Sequence, residues 1–185
     1  MSKSLPQERM TVEEFLVWAK AQEGRYELHN GRIVAMSPER AEHVEMKYNV
    51  TSALKAAIGR AGLPCFAYVD GLAVRIDAAT TFEPDAMVVC GEKVPRDQVA
   101  ASSPVIVVEV LSPSTGYVDL GAKLEGYFRV PSLHHYLIID PETRRIVQHR
   151  RGAGDALETR ICANGTIKLD PPGLEFAAED VFAGL

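Results

Sequence analysis

Residues 104–115 read Pro-Val-Ile-Val-Val-Glu-Val-Leu-Ser-Pro-Ser-Thr, a nearly continuous β-branched run that carries one charge, Glu109. A run of this kind belongs in the middle of a sheet with both faces covered. The carboxylate inside it needs an explanation, because desolvating an ion is costly unless the ion is paired or bound to a cation. Taken alone, Glu109 reads equally as a solvent-facing strand end or as one half of an ion pair.

Working outward from this run, CFAYV (65–69), LAVRI (72–76) and AMVV (86–89) are strand-like, and HYLIID (135–140) is a second central-type strand. Thr11-Val-Glu-Glu14 forms a capping box, which predicts a helix from Thr11 or Val12 to about Gln22 with Phe15, Leu16 and Trp18 on its apolar side. Asn30-Gly31 between two short apolar segments predicts a β-hairpin. Val44, Tyr48, Ala53 or Leu54, Ala57 and Ile58 recur at helical spacing from Glu42 to about Gly62, and Asp119 to Arg129 forms a further helix closed by Val130-Pro131. RRIVQHRR, LETRICA and TIKL, broken by glycine turns, predict an appended C-terminal antiparallel meander. The resulting order, α-β-β-α-β-β-β-β-α-β-β, is a mixed α/β arrangement.

Composition bounds the reading further. The chain has 185 residues, 46% hydrophobic and 24% charged, which fits one globular domain over 1–185. A net charge of -5 argues against bulk electrostatic binding of nucleic acid, so any such contact must be local. Cys65, Cys90 and Cys162 are far apart and read as buried free thiols. With no apolar core of a signal peptide and no run long enough to span a membrane, they predict a cytoplasmic protein.

A second acid stands in Phe82-Glu-Pro-Asp85. Pro84 cannot donate to a ladder and belongs at a strand start, so Asp85 falls where pairing begins and a side chain can face a cleft. Alone it reads as a turn residue. Two carboxylates brought together repel unless a cation neutralises them, and hard oxygen ligands suit Mg²⁺ or Mn²⁺.

Pro84-Asp85, then Val108-Glu-Val-Leu-Ser-Pro-Ser-Thr115, a helix with Asp119, Lys123 and Tyr127 at four-residue spacing, and His135-Tyr-Leu-Ile-Ile-Asp140 together resemble the Uma2 (DUF820) family of endonucleases. That family lies within the PD-(D/E)xK nuclease-like superfamily, and the likeness runs from Tyr26 to Asp140. The resemblance implies a restriction-endonuclease-like mixed central sheet flanked by helices and a Mg²⁺- or Mn²⁺-dependent hydrolysis of phosphodiesters, most naturally in DNA. Asp85 and Glu109 would hold the metal. Leu111 stands where the superfamily's simple pattern has lysine, and the family's displaced lysine corresponds to Lys123. Glu27 matches an N-terminal glutamate that would support catalysis, while His43 and Tyr127 would meet substrate.

Each of these has a plainer reading: a surface Asp119–Lys123 pair, a solvated hairpin Glu27, a helix-start His43. Ser112, Ser114 and Thr115 read as a turn and helix cap, since there is no Gly-x-Ser-x-Gly elbow and no glycine-rich phosphate loop. Arg144-Arg145 and His149-Arg-Arg151 make a basic patch that suits either solvent or a phosphate backbone. The rival from another class is a non-catalytic binding or regulatory protein on the same scaffold. Cutting both strands of a duplex needs two sites, which makes a homodimer attractive.

Overall fold

A computed structural model describes residue 6, residues 8–112 and residues 117–184, apart from the side chains of 117–119. The expected Ser114 and Thr115 cap and the Asp119 side chain lie outside the described residues. Helix α1 (Val12–Ala19) is followed by β1 (Tyr26–His29), β2 (Arg32–Ala35) and the long α2 (Ala41–Ala61). Strands β3 (Cys65–Val69), β4 (Ala73–Arg75), β5 (Thr81–Phe82), β6 (Ala86–Cys90), β7 (Ala100–Ala101) and β8 (Pro104–Val110) come next. Helix α3 (Tyr117–Phe128) leads into β9 (His135–Asp140), β10 (Arg145–Arg151), β11 (Leu157–Cys162), β12 (Thr166–Leu169), β13 (Leu174–Ala177) and the short α4 (Ala178–Val181).

Local chemistry accounts for the ends of several elements. Thr11 Oγ1 accepts from the Glu14 amide at 3.3 Å while Glu14 Oε2 accepts from the Thr11 amide at 2.8 Å, so both halves of the capping box form. Asn30 and Gly31 both take positive φ, as a two-residue hairpin turn between β1 and β2 requires. Helix α1 stops at Ala19, three residues before the expected Gln22, and turns carry the chain on to β1.

Two sheets share the core. Six strands lie in the order β11-β10-β9-β8-β6-β3, with β8 and β9 parallel and the other neighbours antiparallel. Five short strands, β2-β1-β5-β4-β7, form the second sheet. The expected meander is present, with β10 and β11 lengthening the larger sheet and β12–β13 forming a separate ribbon.

Strand β8 decides the layering through its period of two. Ile106, Val108 and Val110 pack with α2 and the β12–β13 ribbon, while Val107 packs with α3 residues and Phe82 on the other side. Burying each of these side chains stabilises the fold by roughly 2 kcal/mol. Glu109 falls on the α3 side of this alternation.

Two expectations are corrected by the structure. Val44 and Tyr48 are 52% and 70% exposed, and the buried stripe of α2 is Met46, Val50, Ala53, Leu54 and Ala57, about a quarter turn round the helix. Cys65 and Cys90 are not isolated thiols: they stand opposite each other on antiparallel β3 and β6 and are joined as a disulfide, leaving Cys162 free and buried. Cysteine usage therefore does not argue for a reducing compartment. Of the basic C-terminal residues, Arg151 donates to the carbonyls of Phe128, Val130 and Leu133 and Arg144 to that of Phe182, while Arg145 and Arg150 stay exposed, as the solvated reading expects. No helix among the described residues is long and apolar enough to cross a membrane.

Candidate active site

The functional candidates collect where the chain passes between the two sheets. Asp70 follows β3 on the way to β4, and Glu83 and Asp85 lie between β5 and β6. Glu27 comes from β1, Glu109 from the end of β8, Lys123 from α3, and Glu39, His43 and Lys47 from the start of α2 and the residues before it. A cleft of about 570 Å³ opens here, lined by Glu27, Glu39, His43, Asp85, Glu109 and Lys123 among others.

Asp85 ends the β6–β8 pairing. The last backbone pair is Ala86 with Val108, and the Val110 amide donates instead to Asp85 Oδ2 at 2.6 Å. The other oxygen, Oδ1, meets Lys47 Nζ at 2.9 Å and His43 Nε2 at 3.3 Å. Burial opposes ionisation of Asp85, but the His43 hydrogen bond and the Lys47 charge outweigh it and hold its pKa below the usual carboxylate value.

Glu109 answers the question its sequence position posed. Its Oε1 accepts from Lys123 Nζ at 3.0 Å and from the Tyr127 hydroxyl at 2.6 Å. Even so, burial raises its pKa to about 8: the Lys123 charge is not enough against desolvation together with the neighbouring Asp85 and Glu27 carboxylates. Glu27 shares the same ammonium at 3.0 Å and is further held by the Glu83 amide at 2.8 Å and His29 Nε2 at 2.9 Å. Burial works against the charge of Glu27 too, but these partners prevail and its pKa is lowered. Between the two acids on Lys123, Glu109 is therefore the harder to ionise.

The structure thus brings Asp85, Glu109, Lys123, Glu27 and His43 to one cleft. Glu27 is buried rather than solvated, and the Lys123 ammonium pairs with Glu27 and Glu109 in the interior. Tyr127 is corrected: it is fully buried, packed edge-on against Phe82, and its hydroxyl orients Glu109 rather than facing a substrate.

Four residues escaped the sequence reading. Lys47 is buried on α2, three positions before Val50 and seven before Leu54, on the helix face that the misplaced Val44–Tyr48 stripe concealed. Glu39, Asp70 and Arg25 join it: Lys47 Nζ lies 2.5 Å from Glu39 Oε1 and 3.0 Å from Asp70 Oδ2, and Arg25 bridges Glu39, Asp70 and Glu83. The Lys47 charge is favoured despite burial, chiefly by Asp85. A lysine at buried helical spacing was the one available signal; Asp70 and Arg25 gave none.

Six carboxyl groups thus surround Arg25, Lys47 and Lys123, and four of them, Glu27, Glu39, Asp85 and Glu109, line the cleft. Asp85 and Glu109 present carboxyl oxygens there, the hard donor type that a divalent cation takes, and each is paired with an ammonium.

The chain resembles known proteins over most of its length. Residues 12–181 match the family model Uma2, described as "Putative restriction endonuclease". An uncharacterized protein of Synechocystis sp., slr1290, is 28% identical over 186 residues, covering 100% of this chain and 97% of that one. A second Synechocystis sp. protein, sll1609, also uncharacterized, is 30% identical over 149 residues, 79% of this chain and 82% of its own. The crystal structure of "a putative nuclease belonging to DUF820" from Anabaena variabilis superposes with a TM-score of 0.75 at 18% identity, covering 94% of this chain and 98% of that one. The likeness establishes the restriction-endonuclease-like mixed α/β fold.

Proposed function

Since the chain belongs to the Uma2 family, we propose that it is a single-domain nuclease that hydrolyses phosphodiester bonds, acting on DNA with Mg²⁺ or Mn²⁺. The observation that carries this reading is the placement of Asp85 and Glu109, two buried acids at the ends of adjacent strands, each held by an ammonium and both facing the cleft. Asp85 and Glu109 would hold the ion, which when bound supplies a more acidic water and positive charge at the phosphate.

The chain's own groups do the rest. Glu27 fixes the Lys123 ammonium beside Glu109, from where its flexible stem can turn toward a phosphate oxygen as charge develops there. Tyr127 holds the Glu109 carboxyl in place. His43, with Nε2 against Asp85 at the cleft wall, is placed to meet the phosphate or pass a proton. Two copies of such a site would be needed to cut both strands of a duplex, so a homodimer goes with the DNA reading.

The test is cleavage of supercoiled, linear, single-stranded and branched DNA with Mg²⁺ or Mn²⁺. Asp85→Asn is a better control than alanine because it keeps an acceptor for the Val110 amide. Loss of cleavage in Asp85→Asn and Glu109→Gln, with both folded, is the expected result. Equal cleavage by both variants overturns the assignment, and no cleavage of any substrate by the wild type favours a binding protein on this scaffold.

A further inference from the structure

His43 and Lys47 stand one turn apart on α2 and both reach Asp85. With Glu39 they surround the Asp85 carboxylate, which this cluster shares with the Glu109 side of the cleft. One ligand atom each from Glu39, His43 and Asp85 lies within 4.8 Å of the others. An octahedral ion with oxygen bonds of about 2.1 Å separates opposite ligands by roughly 4.2 Å and adjacent ones by roughly 3 Å, so this set would have to draw inward to close on a metal.

A cation already stands there. The Lys47 ammonium is 2.5 Å from Glu39 Oε1, 2.9 Å from Asp85 Oδ1 and 3.0 Å from Asp70 Oδ2, the separations of charge-assisted hydrogen bonds rather than of metal coordination. An ordinary ion pair needs one acid, and this lysine has three while being almost wholly buried. His43 supplies an independent observation: its Nδ1 is buried without a hydrogen-bond partner among the described residues, and its Nε2 stands 3.3 Å from Asp85 Oδ1.

The geometry points to Lys47 as a built-in cation that takes the place of a second divalent ion at Glu39, His43 and Asp85. Its catalytic meaning rests on the nuclease reading above: hydrolysis would proceed with one bound ion, and the positive charge that two-ion sites draw from a second metal would come from the chain itself. Removing the ammonium leaves three carboxylates and an imidazole around a space of its own size, with Arg25 still paired to Glu39 and Asp70. Such a set takes up a metal, and the imidazole nitrogen favours Mn²⁺ over Mg²⁺.

The experiment is titration of Mn²⁺ alone into wild type, Lys47→Met and Lys47→Met/His43→Ala, counting ions per chain by calorimetry and by the spectrum of free Mn²⁺. Lys47→Met is expected to bind one more ion than wild type, and the double variant to lose it again. An unchanged count in folded Lys47→Met overturns the inference, whatever the wild type binds. If Lys47→Met folds only when Mn²⁺ is added, the ion has replaced the ammonium and the inference stands. If it does not fold at any Mn²⁺ concentration, Lys47→Gln takes its place, and an unchanged count there overturns it. A wild type that binds none beside a Lys47→Met that binds one would remove the nuclease reading and leave the role of Lys47 intact.

Discussion

Replacing Glu109 by glutamine isolates the cost of holding an acid inside a sheet. Glutamine keeps the size of the side chain and a carbonyl acceptor for Lys123 and Tyr127, but it cannot ionise. In the folded protein Glu109 titrates near 8, raised from 4.5 chiefly by burial. A carboxyl whose folded pKa is raised costs nothing below the unfolded value, and its penalty grows as pH rises, reaching a plateau above the folded pKa. At 1.36 kcal/mol per unit, the wild type loses about 5 kcal/mol from this group between pH 4.5 and pH values above 8, about 3 kcal/mol of it already lost at pH 7.

Urea unfolding of wild type and Glu109→Gln, with a chelator present, at several pH values from 4.5 to 9 gives the measurement. The difference between the two proteins removes the shared groups remote from Glu109, including His135, which acts with the opposite sign in the same window. The variant is expected to gain on the wild type steadily as pH rises. A difference that stays flat within 1 kcal/mol over this range would mean that Glu109 ionises freely, and the account of a proton-holding site acid would be wrong.

His135 is fully buried, with Nε2 facing the Pro171 carbonyl and Gln148 at Nδ1, and burial lowers its pKa to about 4. A depressed histidine stabilises above its unfolded pKa and loses that contribution as pH falls from about 6.5 to about 4, so wild type should lose roughly 3 kcal/mol relative to His135→Gln over this window in the same urea assay. Lys123→Met leaves buried Glu27 and Glu109 without the ammonium they share, which should cost about 3–5 kcal/mol in denaturant unfolding at pH 8 and be partly recovered by adding Glu109→Gln. A Cβ on Gly126 would come within 2.6 Å of Phe82 Cε2, so Gly126→Ala should lower stability by about 1–3 kcal/mol and shift the melting temperature down as α3 moves off the ring.

What could be read from the sequence was what depends on near neighbours. The capping box, the Asn30-Gly31 turn, the β8 run and the proline before Asp85 carry their physics within a few residues, and each element stands where it was expected. The pairing of Asp85 with Glu109 rested on the family resemblance, and spacing alone would not have given it. What escaped was set by long-range packing. Two apolar stripes compete on α2, and only the sheet beneath decides that Met46, Val50 and Leu54 face inward with Lys47 beside them. The partners of Arg25 meet it from three separate segments, and the opposition of Cys65 and Cys90 follows from strand register. Glu27 could be read either as a site acid or as a solvated hairpin residue, because its burial comes from Lys123 and Glu83, far away in the chain.

The bond from the Val110 amide to Asp85 has a further use, because it makes the main chain a witness to events in the cleft. An ion or a phosphate that draws Oδ2 aside must slacken that bond. Val110 is otherwise locked among core residues that have no reason to move. Its amide proton is therefore an internal gauge: one resonance, and one exchange rate, that records whether the site is filled without a substrate having to be cut.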